Sequence, residues 1–114
     1  MADIKTHLRE ISVAFGIKTI NIKDINIPSQ YFSVAQTIIR NDISIAENIK
    51  ELKEFNSDLM SIISNGIRLG ETIVKNNLVN PEDPIFWLGS DTQKEDPVDL
   101  YVGEIGFSLK EDSF

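Results

Sequence analysis

Cysteine is absent from the chain, which in one step excludes a disulfide framework, a thiolate zinc site and a cysteine nucleophile. Histidine is nearly absent: His7 stands alone, so no histidine-based metal centre can be assembled, and a surface position on a helix is its expected place. Long apolar runs are missing as well. Met1 to Glu10 alternates charged and apolar residues, a pattern of neither a signal peptide nor a membrane span, so a cytoplasmic protein without a membrane partner is expected. There is also no glycine-rich phosphate loop, no nucleophile elbow and no His-containing triad, which leaves little support for enzymes of those kinds.

What is present describes a globular chain. Its 114 residues, 41% hydrophobic and 25% charged, suffice for one modest core, so a single domain over 1–114 is expected. The net charge of −7 is unevenly placed. Residues 1–78 carry nine acids against nine Lys or Arg, whereas residues 79–114 carry nine acids against only Lys94 and Lys110. An acidic face repels phosphate, so binding of nucleic acid would need a divalent cation or a basic partner.

Along the chain, Ile4, Leu8 and Ile11 recur at helical spacing, and Gly16 is placed to stop a first helix near Phe15. Isoleucines then alternate with polar residues from Ile17 to Ile27, as in one or two short strands, and Pro28 closes them. Ser29 can cap a helix over about 30–40. Ser44-Ile-Ala-Glu47 has the form of a capping box, followed by a buried stripe of Ile45, Ile49, Leu52 and Phe55 and an exposed Lys50–Glu54 pair. Asn56-Ser57-Asp58 offers a break and a fresh cap for a helix reaching about Asn77, with Gly66 as an end or kink. Asn80-Pro-Glu-Asp-Pro84 must be a loop. The expectation is an α+β chain: a helix and short strands over 1–28, a helical scaffold over 29–78, and an acidic loop with an antiparallel β-hairpin over 79–114.

The hairpin is the informative part. Gly103-Glu104 suits a two-residue II′ turn, because glycine supplies the positive φ of the first central position. Val102 then faces Ile105, Leu100 faces Phe107 and Val98 faces Leu109, three apolar pairs on one side. On the other side Asp99 lies opposite Ser108, Tyr101 opposite Gly106, and Lys110 is diagonal to Asp99. A carboxylate, a hydroxyl and an ammonium in one place are the parts of metal-assisted hydrolysis. Spacing alone favours the plainer reading, an amphipathic hairpin with a wet polar side, its Asp99–Lys110 pair worth at most ~1 kcal/mol.

Pro97-Val98-Asp99 followed by Gly106-Phe107-Ser108-Leu109-Lys110 resembles the paired motifs of the PD-(D/E)xK restriction-endonuclease superfamily. The match covers about fourteen residues at the end of the chain. It implies that Asp99 is a ligand of Mg2+, that Lys110 is the catalytic lysine, and that the substrate is double-stranded DNA. Ser108 stands where the family usually has Asp or Glu, and some members carry serine there. Members often present a glutamate from the preceding helix, for which Glu71 is the candidate; Arg68 and Lys75, three before and four after it, are its ordinary helical partners. The family's sheet has four or five strands, so the resemblance implies an incomplete restriction-endonuclease-like core: the N-terminal part of a nuclease, or a subunit completed by another chain or by self-association. In the 114-residue form efficient catalysis is not expected. The competing reading is a non-catalytic acidic module that docks on a basic protein, DNA mimicry included, or self-associates through a strand edge.

Overall fold

The computed structural model describes residues 4–20, 25–89 and 98–109. Helix α1 (Ile4–Ile17), α2 (Pro28–Ile38), a 3₁₀ helix (Ser44–Glu51) and α3 (Ser57–Lys75) precede a three-stranded antiparallel sheet. Its strands β1 (Ile85–Trp87), β2 (Leu100–Val102) and β3 (Ile105–Phe107) lie in the order β1-β2-β3. The chain is thus α+β, a helical layer followed by a C-terminal hairpin. The hairpin is not alone, because β1 pairs with β2 on its other side. No strand forms among the described residues of the isoleucine-rich segment: Ile17 belongs to α1, and residues 18–20 and 25–27 form turns and bends. Residues 21–24 of that segment lie outside the described residues.

The two long helices meet backbone to backbone. A methyl group added to Gly16 would run into the Ile67 carbonyl, and one added to Gly70 would run into the Val13 carbonyl. At Gly66 the added carbon would lie 2.7 Å from Ser12 Cβ and 2.8 Å from Arg9 O. Neither Gly16 nor Gly66 ends its helix, and their lack of a side chain permits the crossing.

The stop of α1 lies further on. Thr19 takes φ +58, Ile20 N–H donates to Phe15 O at 2.9 Å and Thr19 N–H to Gly16 O at 3.2 Å, the paired bonds of a Schellman ending. Asn77, at φ +58, ends α3 in the same way, with Leu78 N–H on Ile73 O and Asn77 N–H on Val74 O. Asparagine tolerates this left-handed backbone, whereas a β-branched threonine is strained in it.

Helix starts differ from one another. Asn56 caps α3 as its side chain accepts the Leu59 N–H at 2.9 Å. Pro28 opens α2 at its first position instead of closing a strand, and Ser29 lies inside the helix. The Ser44/Glu47 capping box does not form: Asp42 Oδ1 takes the Ser44 N–H at 2.9 Å and the segment winds as 3₁₀ helix. Glu47 pairs with Lys50 at 2.5 Å, where Glu54 was the expected partner. With three residues per turn the intended stripe breaks up, so Ile49 is buried while Ile45 is 58% exposed.

One core joins all layers: Leu8, Ile11 and Phe15 of α1, Tyr31 and Phe32 of α2, Ile63 of α3, and Ile85, Trp87, Leu100 and Val102 of the sheet. Tyr31 packs edge-on against Phe15 and Phe55, and its hydroxyl donates to Leu8 O at 3.2 Å and shares a 2.8 Å bond with Ser12 Oγ. Burial pushes the Tyr31 phenol well above its ordinary range, against the lowering effect of Ser12, so it acts as a neutral hydroxyl.

The outer edge of β1 is closed by the segment after α2. Arg40 N–H donates to Ile85 O at 2.9 Å, and the Asn41 amide spans the Trp87 backbone, accepting from its N–H at 3.0 Å and donating to its carbonyl. Lys18 Nζ ties the end of α1 to the loop at 80–84 through Pro81 O (2.7 Å) and Asp83 O (2.9 Å). Among the described residues no helix is long and apolar enough to cross a membrane.

Two substitutions at these backbone positions should act in opposite directions. Gly70→Ala should destabilise by about 3 kcal/mol or more, because the new methyl meets a carbonyl that cannot move alone. Thr19→Gly should stabilise by about 1 kcal/mol by releasing the left-handed strain. Urea unfolding curves of the two variants check both signs.

Candidate functional site

Gly103 takes φ +60 at the bend, and β2 and β3 pair as Val102 with Ile105, Tyr101 with Gly106 and Leu100 with Phe107. The expected turn and its register are present. Before Leu100, however, strict alternation breaks. Asp99 N–H donates to Phe107 O at 2.8 Å, although Leu100 is the residue registered opposite Phe107. Two residues of one strand therefore lie against one of the other, a β-bulge, which bends the strand and re-aims its side chains. The Asp99 carbonyl meanwhile accepts Leu88 N–H from the β1 side at 3.0 Å.

The bulge corrects the expected positions of two side chains. Val98 sits on the outer face with Tyr101, since a carbon added to Gly106 would meet both at 3.0 Å. It therefore does not form the expected pair with Leu109. Asp99 turns to the side of Leu100 and is buried, 6% exposed, instead of lying on the wet face. Its Oδ2 accepts the Leu109 N–H at 2.7 Å. Ile105, expected against the core, is 44% exposed at the tip.

A second buried carboxylate comes from α1. Glu10 is 4% exposed, and its Oε1 accepts the indole Nε1–H of Trp87 at 2.8 Å. One turn earlier His7 is buried as well, edge-on to the Trp87 ring with centroids 5.2 Å apart, and not on the surface as expected from sequence. Trp87 is registered opposite Leu100, the neighbour of Asp99; Glu10 is held at the indole of β1, and Asp99 at the Leu109 amide beyond β3.

The other residues named from sequence are placed differently. Ser108 is exposed, whereas the Asp99 carboxylate is buried on the neighbouring Leu109 amide. Glu71 is exposed on α3, and its backbone N–H lies beside Gly16, six residues further along α1 than Glu10. At the helical rise of 1.5 Å that is about 9 Å along the axis, so Glu71 is remote from the Glu10–Trp87 contact. Lys110 lies outside the described residues.

Burying a carboxylate is costly unless donors or a cation compensate it. Among the described residues no three His, Asp or Glu side chains gather into a cage. Magnesium does not need one: it is held by one or two carboxylates and completes its shell with water and substrate phosphate. Asp99 and Glu10 are carboxylates of that kind, and each accepts one protein N–H, from Leu109 and from the Trp87 indole; Ser108 and Glu71 are exposed.

The Asp99–Leu109 bond makes its own forecast. Asp99→Ala strands a buried N–H and should cost about 1–3 kcal/mol, while Asp99→Asn keeps an acceptor and should cost clearly less. Thermal melts of the two variants separate this from a surface ion pair, for which both losses would be small.

No protein-family model matches the chain, and no curated protein or solved structure is significantly similar to it.

Proposed function

We propose that the chain is the N-terminal part of a magnesium-dependent endonuclease of the restriction-endonuclease-like kind, acting on double-stranded DNA. The observation that supports this reading is the buried Asp99 carboxylate at the entry to the hairpin, held by the Leu109 amide, with Glu10 of α1 as a second buried carboxylate. Glu10 takes the place that Glu71 was given as the helix-borne glutamate. Asp99, held by the Leu109 amide, and Glu10, held by the Trp87 indole, are the groups that would hold the cation. Magnesium, when bound, supplies Lewis-acid polarisation of the phosphodiester and an activated water. Cation binding also offsets the local repulsion of phosphate by a chain of net charge −7. Lys110, two residues past the exposed Ser108, is the lysine the motif supplies. The three strands supply part of the four- or five-stranded sheet that the resemblance implies, so completion by further strands belongs to this reading.

Isothermal titration with magnesium tests it. Saturable binding at millimolar cation is expected, abolished by Asp99→Asn, reduced by Glu10→Gln and unchanged by Glu71→Gln. An intact, folded chain that takes up no heat at millimolar magnesium would sink the nuclease reading.

One observation favours the other class. Strand β3 forms one edge of the three-stranded sheet and begins with the 44%-exposed Ile105, within the acidic final third of the chain. A basic protein docking on this edge, with binding weakened by salt and indifferent to Asp99→Asn, would support a non-catalytic interaction module.

A further inference from the structure

We propose that the open edge of β3 accepts an extended, arginine-bearing segment of a basic protein as an added strand, registered so that an arginine of that segment lies beside Gly106 and stacks on Tyr101. The proposal rests on the reading of the chain as an interaction module and goes beyond it in assigning the pairing mode, the register and the side chain that recognises the partner.

The two edges of the sheet are finished differently. Beyond β1, the Arg40 N–H and the Asn41 amide occupy backbone groups of Ile85 and Trp87. Beyond β3, no described residue does the same. Residues of an antiparallel ladder alternate between pairs that exchange hydrogen bonds and pairs that do not. The Gly103-Glu104 bend makes Val102 and Ile105 a bonded pair, so Tyr101 and Gly106 form the non-bonded one, and the N–H and C=O of Gly106 point away from β2. Gly106 and Ser108 are exposed, and the Ser108 N–H has no backbone acceptor among the described residues. Neither lysine nor proline, the usual guards of an exposed edge, occurs in Ile105–Phe107.

Charge and shape together select the occupant. Among the described residues from 79 onward the acids are Glu82, Asp83, Asp99 and Glu104, and there is no lysine or arginine. Glu82 and Glu104 are exposed, Asp83 Oδ2 lies beside the Gly103 bend, and the Lys18 amine that reaches this end from α1 is engaged by Pro81 O and Asp83 O. A second copy of this edge would bring like charge to like charge, whereas a basic segment is drawn in. On the outer face, a carbon added to Gly106 would lie 3.0 Å from Tyr101 Cε1 and from both methyl carbons of Val98, so these side chains lean over the bare glycine toward the edge. Phe86, registered opposite Tyr101 and 38% exposed, continues that face. A side chain paired with Gly106 from an added strand therefore meets an aromatic ring, and the Glu104 carboxylate stands two residues before that glycine. Arginine suits both, because its guanidinium stacks on aromatic faces and pairs with carboxylates. Main-chain bonds then supply the affinity and the alternate side chains the selectivity.

The test titrates the full chain with a short capped peptide of alternating arginine and threonine, with a glutamate–threonine peptide as control, and follows amide hydrogen exchange by NMR. The Gly106 and Ser108 amides should exchange fast in the free chain and slow roughly tenfold or more when the arginine peptide saturates it, while the control peptide leaves them unchanged. Ser108→Pro, which removes an outward N–H at the end of an edge strand, should weaken binding roughly threefold to tenfold. Tyr101→Leu should weaken it roughly threefold, through loss of the ring face. Salt-sensitive binding that leaves both amides unprotected and is indifferent to Ser108→Pro overturns the proposal while sparing the interaction module. Protection of the same amides that rises with protein concentration in the absence of peptide identifies a second copy as the occupant and overturns the choice of a basic one. No binding at millimolar peptide removes the proposal and the module reading together. Should Ser108→Pro fail to fold, an arginine–threonine peptide methylated on alternate backbone nitrogens decides the matter on the unmodified chain: strand addition requires it to bind more weakly than its parent, and equal affinity overturns the proposal.

Discussion

Contact of the α1 and α3 backbones without intervening side chains is the constraint from which the rest follows. Gly16, Gly66 and Gly70 remove the three side chains that would hold the helices at the usual 8–10 Å separation. With α3 pressed against one side of α1, the opposite side carries His7 and Glu10 onto β1, and the depth of that contact decides whether the carboxylate ends in water or against the indole. An added methyl at the crossing would push α1 outward as a body. The consequence would reach Glu10, even though no glycine touches it.

The sheet answers this with its own constraint. Its strands are three residues each, too short to be stable unless both flanks are engaged. On one flank Arg40 and the Asn41 amide complete β1; on the other the Gly103 bend joins β2 to β3. The bulge at Asp99 follows the same economy of polar groups. An aspartate at the entry to the hairpin satisfies an amide beyond β3 by turning inward, and the Leu109 N–H, two residues past Phe107, is the group it satisfies. The resulting arrangement differs from a wet catalytic face. Both candidate ligands are buried and hydrogen-bonded, which favours fixed geometry over access by solvent.

The parts of this structure that were legible in the sequence are those set by local rules. Gly103-Glu104 determines the bend and, through it, the pairing of Val102, Tyr101 and Leu100, because a two-residue turn admits one register. Asn56 was legible as a cap for the same reason. What stayed hidden depended on distant partners. The period-two alternation that correctly paired Leu100 with Phe107 misplaced Asp99, since a bulge leaves no trace in the spacing of apolar residues. Strand β1 is too short for periodicity to register, and half its pairing comes from Asn41, a side chain 46 residues away from Trp87. Gly16 and Gly66 read as stops because glycine destabilises a helix interior; close approach of a second helix is invisible along one chain. Glu10 carries no local signal of burial beyond its i,i+3 spacing from His7, because its partner is the indole of Trp87, 77 residues away.

Asp99 and Glu10 are the carboxylates that the proposed function assigns to a cation, and the direct check is where a cation goes. A crystal of the chain soaked with manganese, examined by anomalous scattering, should show a peak within coordination distance of both the Asp99 and the Glu10 carboxylates. A peak confined to the exposed acids, such as Glu71 or Glu104, or no peak while both buried carboxylates keep their bonds to Leu109 and Trp87, would contradict the account.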